Sequence, residues 1–135
     1  MNSVANNQEN CQRVTRQRFP NGEPAVLIVD DDPRVADVLQ ELLEDEGFSV
    51  SYEGNGHKAL HAIERNRPDV VLADIRMPVM DGITLLNEII KRWNDVDVIM
   101  MSATETPRDL PVPFIQKPFD LDEVISIIHG CEESH

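Results

Sequence analysis

From Ala25 onward, uninterrupted apolar runs alternate with segments in which apolar residues recur at helical spacing. Apolar runs of about four to eight residues are typical of strands buried on both faces, whereas a recurrence every ~3.6 residues is typical of amphipathic helices. Strands that alternate with helices form a parallel sheet that helices cover on both faces. The pattern therefore predicts one α/β domain over residues 23–135. The polar, aperiodic segment 1–22 before it has the composition of a disordered tail.

Five strands and four helices are predicted along this domain. The strands are expected at about Val26–Val29, Phe48–Tyr52, Val70–Ala73, Val96–Met101 and Phe114–Gln116. Apolar and polar residues alternate in the second of these, so that strand is expected near a sheet edge. The helices are expected from Pro33 to just before Gly47, around Ala59–Ile63, over Ile83–Trp93 with Ile90 on its buried face, and over Leu121–His129. Asp32 and Asp120 are the predicted N-caps of the first and last helices.

The connection between the fourth and fifth strands departs from this rhythm. The eleven residues Ala103–Pro113 separate the two strands, and they include Pro107, Pro111 and Pro113. Two loops of at least ~2 residues each leave about seven residues for a helix, and each proline removes an amide donor. We therefore expect an extended connection or a single turn, and no full helix.

Polar side chains follow four of the strands at the point where each strand ends. Asp30 and Asp31 follow the first strand, Asp74 the third, Ser102 the fourth and Lys117 the fifth. The carboxyl ends of parallel strands meet at one edge of an open α/β sheet, which is where such sheets bind ligands. We therefore expect carboxylates, a hydroxyl and an ammonium to lie close together there.

These residue types suit metal binding and phosphoryl transfer. Asp30, Asp31 and Asp74 offer the oxygen ligands that Mg2+ prefers, and without a cation the three carboxylates would repel one another. A carboxylate can act as a nucleophile and form an acyl phosphate, so Asp74 is the candidate acceptor and bound metal could bridge it to an incoming phosphoryl group. Lys117 and the Ser102 hydroxyl could then hold the phosphoryl oxygens.

Charge and composition narrow the possible partners. The net charge of −13 repels nucleic acid and anionic lipid, so we expect no direct nucleic-acid or membrane binding and favour protein partners with a basic docking surface. No apolar stretch approaches the ~18 residues that a membrane span needs, and the start of the chain lacks a secretory pattern. Cys11 and Cys131 have no metal-ligand spacing and are expected to be free thiols in the cytoplasm. His57 and His61 have a zinc-compatible spacing but no apparent third ligand, so no metal role is expected.

Four segments resemble the receiver domain of two-component response regulators. They are Leu27–Pro33 (LIVDDDP), Asp74–Gly82 (DIRMPVMDG), Met101–Ala103 (MSA) and Lys117–Phe119 (KPF). The resemblance covers about residues 24–131. It implies a flavodoxin-like (βα)5 fold, a three-layer sandwich around a parallel five-stranded sheet of order 2-1-3-4-5, in which the fourth helix is short or absent here.

The resemblance also implies a function for the strand-end residues. It implies that Asp74 accepts a phosphoryl group, in a Mg2+-dependent reaction, from a sensor histidine kinase or a histidine phosphotransfer protein. It makes Asp30, Asp31, Asp74 and the main-chain carbonyl of Arg76 the metal ligands. Lys117 matches the family's lysine at the phosphorylation site.

Further matches concern the response to phosphorylation. Ser102 and Phe114 match the family's switch hydroxyl and switch aromatic residue. Arg76 and Thr104 match positions that border the path of attacking water, so they are candidates for tuning the lifetime of the phosphorylated state. Pro118 matches a proline that follows a cis peptide bond.

Several functions are compatible with these residues. The leading one is a single-domain response regulator that is no enzyme beyond its own phosphorylation and dephosphorylation and that signals by phosphorylation-dependent partner binding. A second is a phosphorelay shuttle or phosphate sink without an output of its own. A third is a phosphohydrolase with an Asp nucleophile, which is disfavoured because Arg76 stands where such enzymes place a second Asp. A fourth, a pseudo-receiver scaffold, is disfavoured because every expected residue type of the acceptor site is present.

Overall fold

The computed structural model describes residues 24–104 and 109–130. In this part of the chain, five strands form one parallel sheet. The strands are β1 (Ala25–Val29), β2 (Ser49–Glu53), β3 (Val70–Asp74), β4 (Asp97–Ser102) and β5 (Phe114–Gln116). Their order in the sheet is β2-β1-β3-β4-β5, which confirms the predicted topology. The tail predicted over residues 1–22 lies outside the described residues, as do Cys11 and Cys131.

The described residues form four helices, each of which begins at a side-chain cap. The helices are α1 (Pro33–Asp45), α2 (Gly56–Arg65), α3 (Gly82–Arg92) and α4 (Leu121–His129). Their N-caps are Asp32, Asn55, Asp81 and Asp120. Each cap side chain accepts a hydrogen bond from a main-chain N–H of the first turn, which would otherwise have no partner in the helix. The predicted caps Asp32 and Asp120 are confirmed. The bounds of the strands and of α1, α3 and α4 lie within one residue of the predicted ones, whereas α2 is longer than expected.

Burial along the strands follows their place in the sheet. All five residues of β3 are buried, because β3 lies between β1 and β4 and helices cover both of its faces. By contrast, β2 contains only exposed and half-buried residues, as expected for the edge strand that its alternating pattern predicted.

The helices pack on the sheet in two pairs, and each pair closes an aliphatic core. On one face α2 and α3 contribute buried residues, which are Ala59, Leu60, Ile63, Leu85, Leu86 and Ile89. On the other face α1 and α4 contribute Ala36, Leu39, Leu43, Val124, Ile127 and Ile128. Burying a large aliphatic side chain stabilises a fold by about 1.5–3 kcal/mol. The two cores therefore stabilise the sheet, whose carboxyl edge carries the site.

The described part of the connection between β4 and β5 contains no helix. Residues 103–104 bend away from β4, and residues 109–113 lead irregularly into β5; residues 105–108 lie outside the described part. Leu110, Val112 and Phe114 are partly buried against the core that α2 and α3 close. Their period of two is that of extended backbone. The described residues of the connection therefore cover part of this core without forming a helix.

One predicted core residue is in fact exposed. Ile90 was expected on the buried face of α3, but 49% of its surface is exposed. It borders a surface cavity of about 370 Å³ whose lining also includes Pro111 and Val112. The described residues of the connection line this cavity but leave Ile90 exposed, so the prediction was wrong for a tertiary reason. In the described part of the chain, no helix has the length and apolar character needed to cross a membrane.

Candidate functional site

The carboxyl ends of the strands bring the predicted polar residues to one edge of the sheet. Asp30 directly follows β1, Asp74 ends β3, Ser102 ends β4, and Lys117 directly follows β5. Main-chain hydrogen bonds continue the sheet at this edge. Lys117 N donates to Ser102 O at 2.9 Å, and Ile75 N donates to Met101 O at 2.9 Å. The side chains thus start from fixed backbone positions, as the strand-end argument predicts.

Lys117 joins two of the carboxylates. Its Nζ donates to Asp30 Oδ2 at 2.8 Å and to Asp74 Oδ2 at 2.9 Å. The side chains of Lys117, Asp30 and Asp74 are 16%, 1% and 11% exposed. Charge-assisted hydrogen bonds are about twice as strong as neutral ones, and water screens such shielded pairs little. Lys117 is therefore the fixed cation of the site. Its peptide bond to Pro118 is cis, as the resemblance implied.

Burial and hydrogen bonding shift the pKa values of Asp30 and Lys117. Burial raises the pKa of Asp30, and the hydrogen bonds from Lys117 Nζ and Asp32 N offset only part of the rise. Burial alone would lower the pKa of Lys117, but its hydrogen bonds to Asp30 and Asp74 outweigh that effect, so the pKa is raised. Lys117 therefore stays positively charged at neutral pH.

Three carboxylates form a candidate cation site beside Lys117. Asp30, Asp31 and Asp74 each offer an oxygen, and these oxygens all lie within 4.8 Å of one another. When all are ionised, three carboxylates and one ammonium leave a formal charge of −3 + 1 = −2, which a divalent cation offsets. Oxygen ligands beside the exposed Asp31 suit Mg2+, which keeps part of its water shell. Among the described residues, His57 and His61 join no such cluster.

The acceptor candidate Asp74 is held from both sides. Its Oδ1 accepts a hydrogen bond from Arg76 N at 2.9 Å, while Oδ2 accepts the bond from Lys117. Gly82 closes the loop after β3, because its N–H donates to Ile75 O at 2.8 Å. A Cβ at Gly82 would clash with the Asp74 carbonyl oxygen and lie 2.7 Å from Ile75 Cα. The motif therefore needs glycine here because the loop lies directly against the backbone of Asp74.

The remaining predicted residues surround this centre at different depths. Ser102 is fully buried, and its Oγ accepts a hydrogen bond from Thr104 N at 3.2 Å. Arg76 and Thr104 are exposed, and Phe114 is partly buried. The strand register pairs Met101 with Asp74, so Ser102 lies next to the acceptor strand. The assigned roles of these four residues in switching and in phosphoryl lifetime stay predictions.

Two contacts at the site were not predicted. The Tyr52 hydroxyl donates to the main-chain carbonyl of Asp30 at 2.7 Å, and Asp32 N donates to Asp30 Oδ1 at 2.9 Å. A tyrosine near the end of the strand that neighbours β1 was the available signal for the first contact. The second is a short turn of the Asx type, which Asp residues favour.

Comparison with known proteins identifies the family. A family model described as the response regulator receiver domain matches residues 26–129. AtoC, a regulatory protein of Escherichia coli, is 40% identical over 110 residues, which are 76% of this chain and 24% of AtoC. TcrX, a probable transcriptional regulatory protein of Mycobacterium tuberculosis, is 31% identical over 116 residues, which are 80% of this chain and 50% of TcrX. The chain thus spans about a quarter to a half of these relatives.

The structural comparison includes a solved receiver with a bound metal. The response regulator TrrA from Thermotoga maritima, in complex with Mg2+ and BeF, matches with a TM-score of 0.74 at 30% identity. The match covers 80% of this chain and 98% of TrrA. Phosphorylation and Mg2+ binding are typical of this family, which comprises signalling domains rather than a classical group of enzymes. The chain belongs to the receiver domains of two-component response regulators.

Proposed function

We propose that Asp74 accepts a phosphoryl group from the phosphohistidine of a sensor histidine kinase or a histidine phosphotransfer protein in the cytoplasm. The domain, which we take to cover residues 23–135, then signals by binding a partner in its phosphorylated form. The observation that carries the proposal is the bridge from Lys117 Nζ to Asp30 and Asp74 at 2.8 and 2.9 Å. The bridge places the nucleophile Asp74 and the fixed cation Lys117 beside the carboxylates of the candidate cation site, at one edge of the sheet.

The proposed transfer is a substitution at phosphorus. A carboxylate oxygen of Asp74 attacks the phosphorus, and a P–O bond forms as the P–N bond to the histidine ring breaks. The electron pair of the P–N bond stays on the ring nitrogen, so a ring that is protonated on its other nitrogen leaves as neutral imidazole. The product is an acyl phosphate on Asp74. Because Lys117 and Arg76 N fix the carboxylate, little orientational freedom is lost when the donor docks.

Mg2+ would be held by the carboxylates of Asp30, Asp31 and Asp74 and by the main-chain carbonyl of Arg76. When bound, it neutralises charge on the phosphoryl oxygens as a Lewis acid. Lys117 supplies a second positive charge, and its two hydrogen bonds with carboxylates keep the ammonium aimed at the acceptor.

We propose that the output begins at Ser102 and Phe114. The Ser102 hydroxyl, whose oxygen now accepts a hydrogen bond from Thr104 N, would donate to a phosphoryl oxygen. Ser102 precedes the connection that leads to Phe114, so its movement would shift this connection. The exposed side chains of Arg76 and Thr104 would govern access of water to the acyl phosphate and hence its lifetime.

The proposal is tested by phosphate transfer to matched aspartate variants. Asp74→Asn keeps the shape and the hydrogen-bond acceptor of the side chain but removes the nucleophile. Asp81→Asn is the control, because Asp81 lies seven residues further along the same loop region and caps α3, a role that Asn also fills. We expect acetyl phosphate or a cognate kinase to label the wild type and Asp81→Asn, and to leave Asp74→Asn unlabelled. Stoichiometric labelling of Asp74→Asn would overturn the proposal.

A phosphorelay shuttle or phosphate sink is the second candidate. It is favoured by the connection between β4 and β5, whose described residues contain no helix that could serve as a docking element. The two functions differ in the fate of the phosphoryl group. A shuttle passes it to a histidine phosphotransfer protein faster than water removes it, whereas a signalling receiver changes its affinity for a target.

A further inference from the structure

The Tyr52 hydroxyl contacts the main chain at Asp30, the first of the two adjacent carboxylate residues Asp30 and Asp31. In the register of the sheet, Tyr52 pairs with Ile28, two residues before Asp30. Two residues of a strand span about 6.6 Å, so the side chain has to lean along the strand to reach past its end. Its hydroxyl donates to Asp30 O at 2.7 Å. The ring itself packs against the core that α1 and α4 close, which holds the hydroxyl in this position.

This contact lies at the end of the main-chain hydrogen bonding between β1 and β2. The bond from Asp30 N to Glu53 O, at 3.3 Å, joins the ends of β1 and β2. Glu53 is the last residue of β2, and the register ends at the pair Val29–Glu53. The Asp30 carbonyl therefore receives a side-chain hydroxyl where a longer β2 would provide a main-chain N–H. The plane of the peptide between Asp30 and Asp31 is held by this bond.

The orientation of this peptide affects the cation site because the carboxylates of Asp30 and Asp31 are held in different ways. The Asp30 side chain is buried and is held by Lys117 Nζ and by Asp32 N. The Asp31 side chain is exposed and makes no hydrogen bond or ion pair within residues 24–104 and 109–130. Its direction therefore depends on its own backbone, which starts at the peptide that Tyr52 holds.

We propose that Tyr52 is a positioning residue for the candidate cation site: by holding the Asp30 carbonyl, its hydroxyl sets the direction from which Asp31 offers its carboxylate to a divalent cation. The inference rests on the proposed Mg2+-dependent function.

The test is Mg2+ binding by Tyr52→Phe, which keeps the ring and removes the hydroxyl. Replacing residues that hold a metal ligand typically weakens binding about 10- to 100-fold. Tyr52 acts on the backbone of the ligand rather than on its carboxylate, so we expect a smaller loss of about three- to tenfold in calorimetry. Without Mg2+, we also expect the largest changes in amide chemical shift at Asp30, Asp31 and Asp32.

Asp69→Ala is the matched control for a general loss of stability. Asp69 Oδ2 accepts a hydrogen bond from Ala25 N at 2.8 Å, so the control also removes a side-chain bond to the β1 backbone, but at the opposite end of the strand. That end lies roughly 16 Å from the site, beyond the Debye length of about 8 Å at physiological salt. We expect the control to lower the melting temperature and to bind Mg2+ with native affinity.

Phosphorylation kinetics separate positioning from a structural role. In Tyr52→Phe we expect the Mg2+ concentration for half-maximal labelling by acetyl phosphate to rise about three- to tenfold. We expect the maximal rate at saturating Mg2+ to change less than about twofold, since the acceptor and Lys117 are untouched. Native affinity in Tyr52→Phe, or an equal loss of affinity in Asp69→Ala, would overturn the inference. If the wild type neither binds Mg2+ nor is labelled, the proposed function itself fails.

Discussion

Lys117→Met removes the ammonium that joins Asp30 and Asp74 while keeping most of the apolar stem. The Asp30 side chain, which is 1% exposed, then loses its ion-pair partner. Removing one member of a buried ion pair typically costs about 3–5 kcal/mol, because the other charge stays buried without compensation. The variant therefore measures how strongly this bridge stabilises the metal-free protein.

Protonation of Asp30 limits that cost and makes it depend on pH. Neutralising a carboxyl of ordinary pKa ~3.9 costs at most about 1.36 kcal/mol per pH unit above that value, which is about 4 kcal/mol at pH 7 and about 1.5 kcal/mol at pH 5. Burial already raises the pKa of Asp30, and the loss of Lys117 raises it further. A raised pKa in the folded state means that stability is retained below the unfolded pKa and lost as pH rises through the folded one. We expect a loss of about 2–4 kcal/mol at pH 7 and below about 1.5 kcal/mol at pH 5.

Urea denaturation with EDTA at both pH values measures this difference. Lys91→Met is the control, because Lys91 Nζ lies 3.6 Å from Glu88 in a surface pair and its side chain is 74% exposed. Surface pairs contribute about 0–1 kcal/mol, so the control should change the free energy of unfolding by less than about 0.5 kcal/mol at either pH. A loss of stability in Lys117→Met that is equal at pH 5 and pH 7, or absent at pH 7, would show that the bridge does not stabilise the ionised form of Asp30.

Three further variants test other parts of the site. Asp31→Ala removes one of three carboxylate ligands, so its Mg2+ affinity should fall at least about tenfold in calorimetry; an unchanged affinity contradicts the cation site. Arg76→Ala removes an exposed side chain, so the decay rate of the phosphorylated protein should change severalfold while the free energy of unfolding stays within about 0.5 kcal/mol; equal decay rates exclude Arg76 from controlling lifetime. Gly82→Ala places a Cβ against the backbone of Asp74 and should lower the free energy of unfolding, measured in urea, by about 1–3 kcal/mol. An unchanged free energy of unfolding would show that the loop can move to accommodate the Cβ.

Much of the fold could be predicted because its signals are local. The apolar runs that became β1 and β3 are buried nearly throughout, since a strand with helices on both faces has no polar side to show. Asp32 and Asp120 cap their helices because a short side-chain oxygen beside the first turn suits its unpaired N–H groups. Each of these signals involves only a few consecutive residues, so it can be recognised in the sequence alone.

The sequence predicted which residues form the site, but it did not predict the hydrogen bonds between them. Strand ends placed Asp30, Asp74, Ser102 and Lys117 at one edge because parallel strands share a direction. The bridge from Lys117 to both carboxylates depends on side-chain lengths and depths that no spacing encodes. Tyr52 contacts a residue 22 positions away, and only the strand register reveals that the two are neighbours.

The loop after β3 holds the least predictable feature. Val79 has φ of 72°, and Met80 N donates to Pro78 O at 2.8 Å across it, which makes a tight γ-turn. A β-branched residue disfavours this region of backbone space, so local propensity argues against the observed turn. Tertiary contacts hold it instead, since Met80 packs against Gly56 so closely that a Cβ there would lie 2.6 Å from the Met80 Sδ.

We propose that Asp74 carries the phosphoryl group, and chemical trapping can test this directly. Borohydride reduces an acyl phosphate on aspartate to homoserine, so reduction followed by peptide mass mapping identifies the acceptor in the full chain. After treatment with acetyl phosphate and Mg2+, we expect homoserine at position 74 and unchanged aspartate at positions 30, 31 and 81. Homoserine at any other position, or none in a protein that has bound Mg2+, would contradict it.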